Sequence, residues 1–442
     1  MQKNLRSDAM GIVSQAIAAV NPYACVQRSV QRKGDILHIG SRSYDISLYD
    51  NIYVVAFGKA STSMSAALED ILGEQIAEGY AITKYGFAGS LNKIIVMEAG
   101  HPIPDDNGVL AAKKIRDFLE KTGPKDLIFF LISGGGSALM TLPRKGIALT
   151  DIINLTDKLL RVGATIDEIN TVRKHLSAVK GGGLAKIAYP SESVSLILSD
   201  VVGDSLDVIA SGPTVPDRST FDDFQEIVLR YGLQLSSAVQ GLLEDGLEGV
   251  VEDTPKLEGP MFEKCYNYLV GNNFLALGEA TKKANELGYN TLLLTSSLAG
   301  EAKEVAKVIA SIAKEERANA VPLPLPVCVL AGGEPTVTIR GRGKGGRCQE
   351  LALSFAIEVE GLENMLLLAA ATDGNDGPTD AAGAFADGDT VDKGQDVQME
   401  ARVMLQHNNS YQFFKETEDL FITGPTGTNV MDIYVLLVKG DI

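Results

Sequence analysis

Cysteine is scarce and scattered: Cys25, Cys265, Cys328 and Cys348 form no CxxC pair. A zinc cluster or a disulfide framework therefore finds no support. The four histidines are as dispersed, and no HExxH occurs. Long apolar runs are missing too. Leu127–Ile132 and Met365–Ala371 reach six or seven residues, against the ~20 that span a bilayer. The first twenty residues place Lys3, Arg6 and Asp8 ahead of Ile12, Ile17 and Val20 at amphipathic helical spacing. They lack the dense apolar core of a signal peptide. Cations are in deficit: 40 Lys and Arg against 57 Asp and Glu leave a net charge of −17. Such a surface repels phosphate backbones and anionic lipid. These absences point to a reduced, soluble, cytosolic protein that binds neither nucleic acid nor membrane.

Glycine is what the chain has in surplus. It supplies 45 of 442 residues, about 10% against a norm of ~7%, with no collagen-like period. The excess belongs in loops. At ~150 residues per domain the length predicts two or three domains. Buried strands are expected at Ile52–Phe57, Lys93–Met97, Leu127–Ile132 and Val194–Leu198, with helices at Ser61–Leu72, Asn107–Leu119 and Asp167–Ser177 between them. This alternation is the pattern of a parallel sheet covered by helices. A hairpin is expected around Gly40. Residues 244–264 carry seven acids, two lysines and two prolines, and read as a linker between domains 1–250 and 251–442. Further strands are expected at Tyr266–Val270, Thr291–Leu294, Val327–Leu330, Met365–Ala371 and Leu420–Ile422.

The chemistry is written after the strands, where open α/β sheets bind ligands. Ser133-Gly134-Gly135-Gly136-Ser137 follows a strand and precedes a helical turn, an arrangement that suits an anion. Leu139 stands where a nucleophile elbow needs glycine, which weakens a hydrolase reading. Residues 341–346 match GxGxxG between a strand-like Thr336–Ile339 and a helical Gln349–Ile357, with Arg342, Lys344 and Arg347 nearby. No acid lies at the distance a nicotinamide fingerprint requires. Asp200 and Asp204 follow one strand, and Asp373, Asp376 and Asp380 another. Paired strand-end carboxylates suit Mg²⁺, although Asp376 is equally at home in a turn. On the helix 167–179, Asn170, Arg173, Lys174 and Ser177 share a face opposite an apolar stripe. That face is either solvated or the wall of an anionic-substrate site. Lys59 emerges at the ligand edge after Gly58. His101 and His175 read as supporting rather than catalytic. Glycine loops, placed cations and strand-end acids without a Walker A sequence fit a kinase acting on a small anionic hydroxyl compound.

Several segments resemble the type II glycerate kinase family, whose members end in a MOFRL domain. They include Ala56–Ala60, Glu98–Pro102, Leu131–Met140, Glu168–His175, Ser199–Asp204 and Ala210–Thr214. In the second half come Gly332–Thr336, Gly345–Glu350, Ala371–Pro378 and Thr423–Asn429. The match covers nearly the whole chain in family order, with one departure: Cys348 stands where the family usually carries an amide. The resemblance implies a Rossmann-like N-terminal domain, a smaller α/β MOFRL domain and an active site in the cleft. It also implies ATP-dependent phosphorylation of D-glycerate to 2-phosphoglycerate with Mg²⁺. Lys59 and Arg347 match the catalytic residues, with Asp200 or Asp373 as base or metal ligand and Asp204 a further metal candidate. Phosphate and substrate contacts are expected from Ser133–Ser137, Asn170, Arg173, Lys174, Glu334, Gly345 and Gly346. The partners are small molecules, and a homodimer is admitted. Two competing readings are an NAD(P)H-dependent hydroxypyruvate reductase and a non-catalytic glycerate or nucleotide sensor.

Overall fold

The computed structural model describes residues 2–440, with side chains from Leu5 onward. The chain forms two compact units. The larger consists of Pro22–Ser199 and Asp204–Val270, and the smaller of the described residues up to Asn21, Asp200–Gly203 and the described residues from Gly271.

The larger unit opens with a three-stranded antiparallel sheet, β1 (Val30–Lys33), β2 (Ile36–Ile39) and β3 (Arg42–Asp45), its second hairpin turning at Gly40 with φ +57°. Its main sheet contains β4 (Asn51–Phe57), β5 (Ile76–Lys84), β6 (Ile94–Ala99), β7 (Asp126–Ile132), β8 (Glu192–Leu198) and β9 (Cys265–Gly271), in the order β6-β5-β4-β7-β8-β9. Strands β4 to β8 pair in parallel. All seven residues of β7 are buried, as expected for a strand covered on both faces. The order reverses between β4 and β7, where one crossover leads outward to β5 and the next the other way to β8. A crevice opens beyond the strand ends at such a switch point. Strand β5 escapes the sequence reading because Glu78, Gly79 and Tyr80 interrupt its apolar run.

Helix Ser61–Leu72 buries Met64, Ala67, Leu68 and Leu72, one stripe at helical spacing. Its Glu69, 7% exposed, accepts the backbone N–H groups of Asn92, Lys93 and Ile94 at 2.9, 2.7 and 3.0 Å. One buried carboxylate thus ties this helix to the start of β6. Helices Leu149–Arg161, Ile166–His175, Phe221–Tyr231 and Ser237–Leu247 enclose a separate apolar cluster around Leu155, Leu159, Val172 and Phe224.

Residues 244–264 are not a linker. Asp253 pairs with His175, the Pro255 carbonyl accepts the Asp217 amide at 2.9 Å, and Lys186 pairs with Glu252. The acids that suggested solvation hold this segment to the larger unit, and β9 then joins its sheet. The units part at 270/271 rather than at 250/251.

The smaller unit has a mixed sheet: β10 (Asn290–Leu298), β11 (Val327–Gly333), β12 (Met365–Ala371), β13 (Gly383–Asp387), β14 (Leu420–Phe421) and β15 (Asp432–Val438), in the order β10-β11-β15-β12-β13-β14. The β10–β11 pair is parallel and the remaining pairs antiparallel. The central β15 comes last, so the N-terminal end of β15 lies beside the carboxyl ends of β11 and β12. Asp432 is in register with Gly333 and Ala371. The first helix, Gln2–Ala19, packs in this unit against Asn273–Glu286. Asp8 accepts the Tyr289 hydroxyl at 2.6 Å, and the Thr428 hydroxyl donates to the Val20 carbonyl at 2.6 Å. Among the described residues no single helix is long and apolar enough to cross a membrane.

Replacing Glu69 by Gln converts one oxygen that faces backbone donors into a donor itself. Urea unfolding of Glu69→Gln is expected to show a loss of about 1–3 kcal/mol, the cost of stranding buried hydrogen-bonding groups. An unchanged midpoint would remove this tie from the account.

Candidate active site

At the switch point the two crossover loops touch. The Ser133 amide donates to the Phe57 carbonyl, the Lys59 amide donates to the Gly134 carbonyl at 2.9 Å, and the Ala60 amide donates to Ser133 Oγ at 3.0 Å. Gly58, at φ +121°, has no room for a side chain: a Cβ would lie 2.2 Å from Ser133 Oγ. Gly135 adopts φ +82° and precedes the helical turn Gly136–Leu139. A Cβ there would meet the His101 ring at 2.9 Å and Lys59 Cγ at 3.3 Å. The glycine turn, Lys59 and His101 therefore occupy one corner. Burial, with the Lys59 and Lys84 charges, pushes the His101 imidazole down to about 4, so it is neutral at pH 7.

Beside this turn lies a cavity of ≈ 580 Å³, lined by His101, Gly135, Ser137, Thr141, Arg173 and Lys180 among others. The Ser137 hydroxyl is 2.8 Å from that of Ser211, which also reaches Asn170 Oδ1 at 3.2 Å. Asn170 is therefore buried beneath the turn. Ala210, Ser211 and Gly212 are left-handed in succession, at φ +51°, +61° and +61°. Two non-glycine residues in that region store strain, which the Gly181 and Gly182 amides help to hold by donating to the Ser211 and Gly212 carbonyls at 2.9 and 2.7 Å. The shared polar face of helix Ile166–His175 splits. Arg173 reaches the cavity, but the Lys174 ammonium is buried against Asp217 at 3.1 Å, with Asp207 at 3.8 Å. Lys174 is thus a structural cation rather than an open substrate wall.

In the smaller unit, Arg347 opens the helix Arg347–Glu358. Its Nε and Nη2 donate to the two oxygens of Asp432 at 2.5 and 3.0 Å, and Nη1 donates to Glu334 at 2.8 Å. Burial alone would pull the guanidinium down; Asp432 and Glu334 raise it instead. Asp376 accepts the Cys348 and Gln349 amides at 3.1 and 2.8 Å, capping that helix. Burial and the Asp432 charge push its carboxyl up to about 7. Cys348 is fully buried, so its thiol is shut off from solvent.

The GxGxxG segment is not a dinucleotide fingerprint. Thr336–Ile339 is not a strand. The amides of Arg340 and Gly341 donate to Asn408, that of Gly343 to the His407 carbonyl and that of Lys344 to Asn409. Gly345 and Gly346 are required by close packing, since a Cβ would meet Ser410 Oγ and Asp376 Oδ1 at 2.2 Å each.

Among the described residues no three His, Cys, Asp or Glu side chains converge on a metal position. Mg²⁺ is usually bound through one or two carboxylates with phosphates and waters rather than in a closed protein cage. Asp373 fits that role: it is half-buried, and its Oδ1 accepts the Asn375 amide at 3.0 Å. Asp200 is half-buried after β8, and Asp204 sits in the left-handed region at φ +55°. Three residues at these sites were not singled out from the sequence. Lys180 is signalled there only by the glycines after it, Ser211 by its Ala-Ser-Gly-Pro setting, and Asp432 by being a lone acid ahead of an apolar run.

Residues 8–244 match the family described as a domain of unknown function, DUF4147, and residues 327–432 match the MOFRL family. A glycerate 2-kinase of Pyrococcus horikoshii is 43% identical over 438 residues, 98% of each chain. A D-glycerate 2-kinase of Thermotoga maritima is 40% identical over 437 residues, 99% of each chain. A crystal structure of glycerate kinase from Thermotoga maritima superposes with a TM-score of 0.88 at 40% identity, covering 99% of this chain and 100% of that one.

Lys174→Met leaves the Asp217 carboxylate buried without its cation, and breaking such a pair costs about 3–5 kcal/mol. Chemical denaturation should show that loss while the turnover of the remaining folded protein stays close to that of the parent. Intact stability with abolished turnover would return Lys174 to the substrate wall.

Proposed function

The chain belongs to the glycerate kinase family that joins a DUF4147 domain to a MOFRL domain, and we propose that it transfers the γ-phosphoryl group of ATP to the 2-hydroxyl of D-glycerate, yielding 2-phosphoglycerate and ADP. The observation that carries this reading is Lys59, fixed by its own backbone bond to Gly134 against a glycine turn at the switch point. Phosphoryl transfer asks the protein mainly for positioning and charge neutralisation. Lys59 neutralises the phosphoryl group in flight, and the Ser133–Ser137 turn binds anionic oxygens. Arg347, held by Asp432 and Glu334, is a guanidinium whose fork is already oriented for an anionic oxygen. Asp200 or Asp373 would hold Mg²⁺, and the one that does not would accept the hydroxyl proton. When bound, the cation shields the phosphate charges.

Regiochemistry is the finer part of the proposal. Two relatives are named as 2-kinases, whereas the class number 2.7.1.31 carried by the Thermotoga structure denotes the 3-phosphoglycerate-forming reaction. The test is a coupled assay with ATP, Mg²⁺ and D-glycerate, followed by NMR of the product. ADP release that requires glycerate, with phosphorus coupled to the C2 proton, is expected. Phosphate at C3 would overturn the regiochemistry. Hydroxypyruvate-dependent NADH oxidation without ADP formation would overturn the kinase.

Arg347→Lys is expected to lower kcat/KM by about 10²-fold, since an ammonium cannot reproduce a fixed guanidinium fork. Near-normal kcat/KM in a variant with an unchanged melting temperature would exclude Arg347 from the reaction.

A further inference from the structure

Two cations line the cavity beside the glycine turn, and the carboxylate on the same wall, Asp157, is paired with Arg161 at 2.7 Å rather than with either of them. Lys180 is 4% exposed, and its ammonium donates to the Met140 carbonyl at 2.9 Å. Arg173, on the same cavity wall, reaches Thr156 Oγ1 at 3.4 Å. Among the described residues neither is paired with a carboxylate, in contrast to the neighbouring Lys174–Asp217 and Lys186–Glu252 pairs. Burial lowers both groups, and the Arg173 charge helps to bring Lys180 down to about 7. A buried ammonium without a partner is costly, and a second cation beside it adds to the cost. An anion entering the cavity removes both penalties at once.

The remaining wall narrows the choice of anion. Ile103, Ile152, Ile153 and Leu160 give the cavity an apolar side, and the Ser137 and Thr141 hydroxyls give it polar points. That combination suits a short carbon chain bearing hydroxyls and one carboxylate. Gly135, which adjoins Lys59 Cγ, lies on the same wall. A ligand anchored by its carboxylate can thus extend its hydroxyls toward the turn.

We propose that Arg173 and Lys180 together receive the carboxylate of the three-carbon acid, and that Lys180 is the residue that selects the acid over an uncharged triol such as glycerol. This rests on the glycerate reading above and goes beyond it by assigning the specificity contact.

The experiment uses Lys180→Met and Lys180→Arg in the full chain, with glycerate and ATP varied separately, glycerol as the neutral competitor, and thermal melting of each variant. Lys180→Met should raise the glycerate KM by about 10²-fold, the scale of one buried charge-assisted contact. The ATP KM should stay within about threefold, since no uniform loss of binding is expected. The preference for glycerate over glycerol should shrink by a factor similar to the glycerate KM change. Lys180→Met should melt no lower than the parent, because an unpaired buried charge has gone, and Lys180→Arg should restore part of the glycerate affinity. An unchanged glycerate KM, an equal rise in the ATP KM, or a lowered melting temperature with unaltered KM would each overturn the assignment. Should Lys180→Met not fold, Lys180 is a fold residue and the assignment fails for it. Arg173→Met then decides, by the same KM split, whether the carboxylate site survives without Lys180. A parent enzyme that turns over no glycerate would defeat the glycerate reading itself; an active parent with an indifferent Lys180→Met defeats only this inference.

Discussion

Two backbone segments leave adjacent parallel strands at Phe57 and Ile132 and meet so closely that Gly58 cannot carry a side chain beside Ser133. The doubly wound order imposes that meeting, since the chain turns one way after β4 and the other after β7. Backbone bonds from Lys59 and Ala60 to the opposite loop then fix both turns. Lys59 consequently projects from a rigid corner of the sheet rather than from a free loop. The left-handed Gly135, the neutral His101 and the strained Ala210–Gly212 turn all pack around this corner.

Charge is handled differently in the two units. In the larger one, among the described residues, Arg173 and Lys180 line a cavity with no carboxylate paired to either, its Asp157 being paired with Arg161. In the smaller one, Arg347 is clamped by Asp432 and Glu334. A buried pair of this kind adds little stability compared with a packed apolar core. Its value is geometric: a guanidinium with its fork already oriented loses less freedom when it meets a second anion. Burial raises Asp432 against the pull of Arg347, and Asp432 in turn helps to keep Asp376 near neutrality.

The strand ends and their glycines were legible because parallel strands buried on both faces leave uninterrupted apolar runs, as in β7 and β12. Strand β5 was not, because Glu78, Gly79 and Tyr80 break its apolar run. Strand β15 went unseen at the end of the chain, and with it Asp432, whose partner lies 85 residues away. The acid-rich stretch before β9 misled because composition cannot reveal that His175 and Lys186 wait for Asp253 and Glu252. Helical periodicity grouped Arg173 with Lys174, yet only tertiary packing tells that one borders a cavity and the other meets Asp217. The basic GxGxxG loop matched a pattern, but the amides of Gly341, Gly343 and Lys344 are already taken by residues 407–409.

Lys59 is proposed to act on the phosphoryl group in transit rather than on the bound substrates. Single-turnover rapid quench of Lys59→Ala, with glycerate binding measured separately by calorimetry, addresses it directly. The chemical step is expected to slow by about 10²-fold or more, as when one electrostatic stabiliser is removed, with the glycerate Kd changed little. A chemical step within about threefold of the parent, or a loss confined to glycerate binding, would contradict it.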